Sequence, residues 1–188
     1  MEFETFDIAG PILCVPRKFG DHRGFFMETY KKSAFDAAVG RAVDFVQDNH
    51  SLSATPGTVR GLHYQSPPHA QGKLVRCVRG AIVDIAVDAR VGSPTYGAHV
   101  RAELSAENGH QLWVPEGFLH GFSTLEPDCE VVYKVTDVYA PDCDGNVLWN
   151  DPDLALDWGI DAKAAVVSDK DAVAPTFAAF RSPFTNAA

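Results

Sequence analysis

The feature that most constrains the fold is a run of alternating apolar residues between positions 75 and 87. Its apolar residues share one parity: Val75, Cys77, Ala81, Val83, Ile85 and Val87. Successive side chains of a strand point to opposite faces, so this pattern predicts β-structure with one buried face. Arg79 is the polar exception on that parity, and the dipeptide Arg79-Gly80 predicts a turn within the run.

Shorter strand signals recur along the rest of the chain, at 12–15, 24–30, 45–49, 58–65, 99–104, 111–114, 122–124 and 131–135. Twelve prolines and fifteen glycines are spread between them, as expected of short strands joined by tight turns. This pattern predicts an all-β sandwich, jelly roll or barrel, with a site in its mouth. Helical signals are limited to 33–39, with Ser33 as N-cap and Gly40 as stop, and to a short helix capped by Ser168 and ended by Pro175.

Length and charge narrow the class of protein. A chain of 188 residues is typical of one domain, here predicted over residues 1–188. A formal net charge of −9 argues against nucleic acid or an acidic membrane as partner. The acidic start lacks the basic and apolar regions of a secretory signal, so we expect a cytoplasmic protein. The four cysteines (Cys14, Cys77, Cys129 and Cys143) form no C-x-x-C pair and are expected to be reduced packing residues.

Three segments contain chemistry-bearing side chains: 60–65 with an arginine and a histidine, 71–75 with a lysine, and 114–122 with a histidine between glycines and aromatics. Barrels that hold a metal present closely spaced histidines with a carboxylate. His63, His69, His99, His110 and His120 lack that spacing. We therefore expect no metal and no other cofactor, and chemistry by side-chain acids and bases.

Seven blocks in order, at 21–28, 45–51, 60–65, 72–75, 87–95, 115–122 and 168–171, resemble the dTDP-4-dehydrorhamnose 3,5-epimerases. The resemblance implies a cupin-type double-stranded β-helix, a jelly-roll barrel with short peripheral helices. It implies an isomerase of dTDP-L-rhamnose biosynthesis that inverts the carbons beside the ketone of a dTDP-linked 4-keto-6-deoxy sugar. It also implies a homodimer, with an N-terminal strand added to the partner's sheet.

The resemblance assigns catalytic roles to four residues. His63 matches the general base, and Asp171 the carboxylate that fixes its tautomer, although Asp169 is close enough in sequence to be confused with it. Lys73 matches the residue facing the ketone, where an ammonium stabilises the enolate. Tyr133 matches the acid that returns a proton to the opposite face, although a strand tyrosine at a barrel rim is the simpler interpretation of the residue alone.

The resemblance also implies a set of substrate-binding residues: Arg23, Glu28, Gln47, Asn49, Arg60, Lys73, His120, Tyr139, Asp144 and Lys170. Gln47 and Asn49 share a strand face by parity, and so do Tyr133 and Tyr139. Asp144 stands where the family usually has glutamate. Arg60 and His63 have opposite parity, so both face inward only if Gly61 allows a bulge; otherwise Arg60 serves the rim or the partner subunit's site.

Other functions use a similar barrel or the same side chains. A close variant inverts C3 only and could use the same His63, Lys73 and Tyr133. A metal-dependent cupin enzyme, such as a dioxygenase, is disfavoured by the missing ligand pattern. A non-catalytic sugar-nucleotide-binding module would not require a base, an enolate stabiliser and an acid together. The 3,4-ketoisomerases use a related barrel, but the blocks at 60–63 and 115–122 favour the epimerases.

Overall fold

The computed structural model describes residues 1–186. Its strands are β1 (Glu2–Thr5), β2 (Ile12–Val15), β3 (Lys18–Asp21), β4 (Gly24–Met27), β5 (Gln47–Ser53), β6 (Val59–Gln65), β7 (Lys73–Arg79), β8 (Ala81–Asp88), β9 (His99–Ser105), β10 (Gln111–Val114), β11 (Phe118–Thr124), β12 (Cys129–Val135) and β13 (Asp144–Asn146). The helices are α1 (Lys32–Val39) and α2 (Asp169–Ala172), with 3₁₀ turns at Pro141–Cys143 and Ala162–Ala164. In this part of the chain, we find no helix with the length and apolar character needed to span a bilayer.

Two antiparallel sheets form the barrel. The six-stranded sheet has the order β1-β2-β10-β7-β12-β5, and the five-stranded sheet has the order β13-β6-β11-β8-β9. Their inner faces share one apolar core, in which Val75 and Val131 of the first sheet pack with Ile82, Ala86 and Phe122 of the second. The predicted all-β jelly-roll barrel with short peripheral helices is thereby confirmed. Strands β3 and β4 form a separate hairpin.

The alternating run of residues 75–87 forms β7 and β8, joined by the predicted turn at Gly80, where φ is +77°. The two strands lie in different sheets. Val75 of β7 belongs to the core inside the barrel, whereas Val83 and Ile85 of β8 pack on the outer face under the C-terminal segment. All eight residues of β8 are buried because both of its faces are covered. The odd-numbered apolar residues of this run therefore face the interior core in β7 and the outer core in β8.

Most of the predicted strands are present, with shifted ends. The prediction for 122–124 extends to Phe118–Thr124, and the prediction for 24–30 shortens to Gly24–Met27. Strands β1, β3 and β13 are not predicted, because their residues lack a buried alternation. All four cysteines are free thiols, as expected.

The two helices confirm one predicted N-cap and correct the other. Helix α1 begins at Lys32 after Lys31, so Ser33 is not its N-cap, and it ends at Gly40 with φ +79°. The predicted cap of α2 is confirmed, since the Ser168 hydroxyl accepts from the backbone N–H of Asp171. The helix ends at Ala172, three residues before Pro175.

A bulge in β6 decides which of its side chains face inward. On the neighbouring strand, His120 pairs with His63 and Phe122 pairs with Arg60, so three steps on β6 oppose two on β11. Gly61 lies at this extra residue with φ +136°, in a region that side chains avoid. A Cβ there would lie 2.6 Å from the Cα of Gly121. The predicted bulge at Gly61 is confirmed.

We predict that Gly61→Ala destabilises the protein far more than a glycine replacement with a similar φ elsewhere. Backbone strain costs about 1–2 kcal/mol, and the clash with Gly121 adds about 1–3 kcal/mol. Gly24→Ala is the matched control, because Gly24 has φ +129° and nothing within 4 Å of its added Cβ. Urea unfolding measures both variants. Equal losses of unfolding free energy would contradict the close approach of β6 and β11.

Candidate active site

A cavity opens between the two sheets and consists of two adjoining chambers. The first chamber has a volume of about 420 Å³ and includes Arg60, His120 and Asp171 in its lining. The second has about 410 Å³ and includes Gln47, Asn49, Tyr139 and Asp144. Four residues line both chambers: His63, Lys73, Tyr133 and Lys170. The structure thus brings most of the predicted site residues together around one space.

His63 is held by a buried carboxylate. Its Nε2 lies 2.6 Å from Oδ1 of Asp171, whose other oxygen accepts from the backbone N–H of Gly61 at 3.5 Å. Asp171, not Asp169, is therefore the partner, and it is 3% exposed. Burial alone would raise the pKa of Asp171, but its hydrogen bonds with His63 and with the backbone N–H of Gly61 outweigh that effect and hold the pKa below its usual range. An ionised carboxylate only accepts, so Nε2 carries the proton and Nδ1 is the ring nitrogen left to act as a base.

Lys73 opens β7 on the opposite sheet, where it pairs in register with Val114 and Val135. Burial lowers the pKa of this lysine from 10.5 to about 8, and the nearby carboxylates Asp144 and Asp84 partly oppose that shift. The amine is still mostly protonated at neutral pH. A buried cation stabilises negative charge on a substrate oxygen more strongly than it would in water.

Tyr133 lies on β12, across the cavity from His63 on β6. Burial raises the pKa of its hydroxyl above the usual value of 10, and the charge of Arg60 opposes the shift. The hydroxyl therefore carries its proton at neutral pH and is able to donate it. A base on one wall and an acid on the other fit a planar intermediate approached from both faces.

The first chamber also contains a buried histidine and a fixed guanidinium. Nε of Arg60 donates to Oγ of Ser53 at 3.1 Å, and its Nη2 donates to the Leu52 carbonyl at 3.1 Å. Nε2 of His120 lies 2.7 Å from Oδ1 of Asp84. Because Arg60 and His63 line the same chamber of one chain, the parity conflict is resolved by the bulge. Arg60, Lys73 and Lys170 bring three cations to a cavity that Asp144 and Asp171 also line, in a chain with a net charge of −9.

The mouth of the second chamber is built by amide side chains. Gln47 donates to Asn49 at 2.8 Å and accepts from the backbone N–H of Tyr139 at 3.1 Å, which confirms the shared face of the two amides. Tyr139 lies beyond β12, which ends at Val135, so the parity argument for it was wrong. It still lines the chamber, with 58% of its surface exposed. Asp144 forms an ion pair with Lys170 and also lines the mouth.

Sequence reasoning missed Gln65, whose buried amide joins two loops at the mouth. Its Nε2 donates to the Val138 carbonyl at 3.0 Å, and its Oε1 accepts from the Ala140 N–H at 3.0 Å. These contacts fix the backbone on both sides of Tyr139. Asp84 was missed as well, although one acidic residue inside a strongly apolar strand was a visible signal.

The structure leaves two predicted binding residues, Arg23 and Glu28, outside both chambers. Arg23 lies on the β3–β4 hairpin, exposed and paired with Asp21 at 2.6 Å. Glu28 follows the same hairpin and is exposed. Across residues 1–186 we also find no cluster of three or more His, Cys, Asp or Glu side chains placed to hold a metal ion.

Comparison with known proteins places this cavity in context. The family model described as dTDP-4-dehydrorhamnose 3,5-epimerase matches residues 5–179. An enzyme of that name from Sinorhizobium fredii is 53% identical over 94% of this chain and 89% of its own length.

Solved structures with these names have the same fold. One from Bacillus anthracis, with TDP and PPi bound, is 46% identical, has a TM-score of 0.88, and aligns over 93% of this chain and 98% of its own. A dTDP-6-deoxy-D-glucose-3,5-epimerase from Legionella pneumophila, in complex with dTDP-4-keto-L-rhamnose, is 40% identical with a TM-score of 0.91. It aligns over 96% of this chain and 94% of its own.

We predict that Asp171→Asn reverses the tautomer of His63. The N–H of Gly61 still needs an acceptor where Oδ2 of Asp171 lies, so the amide oxygen takes that place. The amide NH₂ then takes the place of Oδ1 and donates to Nε2 of His63. The ring proton then moves to Nδ1, where it blocks the nitrogen that faces the cavity. Nitrogen-15 NMR of the histidine rings measures this directly, with Asp169→Asn as control. An unchanged Nε2–H signal in Asp171→Asn would contradict the assignment.

Proposed function

The chain belongs to the dTDP-4-dehydrorhamnose 3,5-epimerase family, and we propose that it converts dTDP-4-dehydro-6-deoxy-D-glucose to dTDP-4-dehydro-L-rhamnose. It is an isomerase of the carbohydrate epimerase class. The observation that carries the proposed mechanism is the placement of His63, Lys73 and Tyr133 around one cavity, from opposite walls.

Each inversion takes two proton transfers. Nδ1 of His63 removes the proton from the carbon beside the ketone, and the electron pair of that C–H bond moves to the ketone oxygen to form an enolate. The ammonium of Lys73 stabilises the negative oxygen. Tyr133 then donates its proton to the opposite face of the same carbon, and the electrons return from the oxygen. His63 loses its proton to solvent and Tyr133 regains one, so the pair is ready for the second carbon.

The nucleotide part of the substrate explains the cations around the mouth. A pyrophosphate is anionic, and guanidinium groups make paired hydrogen bonds to phosphate oxygens. We propose that Arg60 and Lys170 attract the charged part of the ligand while Gln47, Asn49 and Tyr139 contact its uncharged groups. The relatives solved with TDP and PPi or with dTDP-4-keto-L-rhamnose support this ligand class.

We predict that His63→Ala abolishes proton exchange while largely sparing dTDP binding. Losing a general base lowers the rate by about 100-fold or more. The substrate is incubated in deuterated water and the sugar is followed by NMR, with His110→Ala as the control variant. Wild-type exchange at C3 and C5 supports the proposal, and exchange at C3 alone indicates the variant reaction. Absence of exchange in the wild type would reject an epimerase, and inhibition by a chelator would indicate a metal.

Tyr133→Phe separates the two proton transfers in the same assay. The base still removes the proton and returns deuterium to the same face, so the carbons gain deuterium without inverting. We therefore predict deuterated substrate and little epimerised product. Tyr96→Phe, at a partly exposed position that lines neither chamber, is the control. Normal amounts of product from Tyr133→Phe would assign the acid to another residue.

We further propose a homodimer whose partner supplies the missing binding residues. The β3–β4 hairpin exposes three aromatic side chains, Phe19 at 52%, Phe25 at 59% and Phe26 at 70%. An apolar patch of this kind favours a protein contact. Arg23 lies on this hairpin and Glu28 directly follows it, and we propose that docking brings both to the partner's cavity. Strand β1 forms an edge of the six-stranded sheet and offers backbone groups for the addition of a strand.

A single epimerase domain spanning residues 1–188 and a cytoplasmic location belong to the same proposal. The four free cysteines support a reducing compartment.

Phe26→Asp is predicted to convert the dimer to a monomer and to weaken dTDP binding together with it. Val173→Asp is the control, since Val173 is 82% exposed outside the hairpin. Sedimentation velocity at micromolar concentration gives the mass, and calorimetry gives the dTDP affinity. A wild-type monomer would reject the dimer. A monomeric variant with unchanged affinity would show that each cavity is complete within one chain.

A further inference from the structure

Asp84 is a carboxylate buried in the least polar part of the barrel. It lies on β8, where all eight residues are buried, and its own exposure is 0%. Its neighbours Val83 and Ile85 face the outer core, so Asp84 points to the inside of the barrel with Ile82 and Ala86. Neither the fold nor the proton transfers described above require an acid here.

One oxygen of this carboxylate is satisfied and the other is not. Oδ1 accepts from Nε2 of His120 at 2.7 Å. Oδ2 is buried and has no hydrogen-bond partner among residues 1–186. Burying a polar atom without a partner costs free energy, and most buried polar atoms in proteins avoid that cost. A fully buried acid with a free oxygen therefore calls for a functional explanation.

The groups around Asp84 are those that face the substrate. His120 lines the first chamber, and the charge of Asp84 reaches the amine of Lys73, which lines both. The other titratable or charged groups lining the chambers around Lys73 lie on five elements and one loop: Arg60, His63 and Tyr64 on β6, His120 on β11, Tyr133 on β12, Asp144 on β13, Lys170 and Asp171 on α2, and Tyr139 in the loop after β12. Among these carboxylates, Asp144 is paired with Lys170 and Asp171 with His63. Asp84 keeps one oxygen free.

We propose that Asp84 is a positioning residue for the epimerisation, which fixes the ring of His120 and adds to the negative charge of Asp144 that favours the protonated form of Lys73. This inference rests on the proposed function. Since an ionised carboxylate only accepts, Nε2 of His120 must carry the proton, and Nδ1 is the nitrogen left to bind the sugar. The same carboxylate opposes the loss of the lysine proton that burial favours.

The charge matters before the chemistry begins. A lysine buried with no nearby anion tends to become neutral, and a neutral amine is a weak stabiliser of an enolate. Asp84 keeps the ammonium in place while the sugar is still an uncharged ketone. The carboxylate of Asp84 lies on the interior face of β8 at 0% exposure, so salt in the solvent screens its charge much less than that of a surface group.

Asp84→Asn tests this proposal, because the amide preserves the shape and an acceptor for His120 but removes the charge. We expect the pKa of Lys73 to fall by up to about one unit, since Asp144 still acts on the amine in this variant. Nitrogen-15 NMR of lysine-labelled protein measures it without substrate, with Lys73→Met to assign the signal. The alkaline limb of kcat/KM, expected near 8 in the wild type, should move down by the same amount.

Asp88→Asn is the matched control. Asp88 is also fully buried on β8, but it pairs with Arg90 and lines neither chamber. Replacing an acid with a purely structural role lowers the thermal stability but leaves the pKa of Lys73 unchanged. We expect this result for Asp88→Asn.

Two results would overturn the proposal: an unchanged pKa of Lys73 in Asp84→Asn, or a wild-type His120 ring protonated on Nδ1. The ring measurement uses the unmodified protein and needs no variant to fold. Neither readout depends on turnover, so a wild type without exchange activity would reject the proposed function separately.

Discussion

The close contact between β6 and β11 determines which side chains reach the cavity. One extra residue on β6 lets Arg60 and His63 line the same chamber, which a regular strand forbids. The contact requires glycine on both strands, since a Cβ on Gly61 would lie 2.6 Å from the Cα of Gly121. The backbone N–H of Gly61 also donates to Asp171, which orients His63. One local irregularity thus positions His63, its carboxylate partner Asp171 and the guanidinium of Arg60.

Three basic side chains of the site are each paired with a carboxylate on another element. His63 on β6 is held by Asp171 on α2, and His120 on β11 by Asp84 on β8. Lys170 is held by Asp144 on β13. These carboxylates orient basic groups and balance their charge. A chain with a net charge of −9 can therefore bring Arg60, Lys73 and Lys170 to one cavity, because carboxylates pair with several of the basic groups there.

The prediction of individual strands succeeded where burial on one face left a clear period of two, as in β2 and β9. It failed for β1, β3 and β13, which lie at edges or in the hairpin and have no buried face to impose a pattern. The cap of α2 was predictable because Ser168 acts on a neighbour three residues away. The start of α1 was not, because its N-cap Lys31 makes no side-chain contact that the sequence could signal.

The sequence by itself determined the family and the all-β class, and it predicted that His63, Lys73 and Tyr133 share one site, because these follow from residue types and their order along the chain. Only the tertiary structure decided that Asp171 rather than Asp169 pairs with His63, that Arg60 lies in the same cavity, and that the hairpin keeps Arg23 outside it. The tertiary structure also decided where Asp84 points. The even-numbered residues of β8 face the interior of the barrel, although the sequence pattern placed its buried face on the odd-numbered residues. Each of these depends on which sheet a strand joins and what covers its two faces. Those are contacts between residues far apart in sequence, and a local pattern does not contain them.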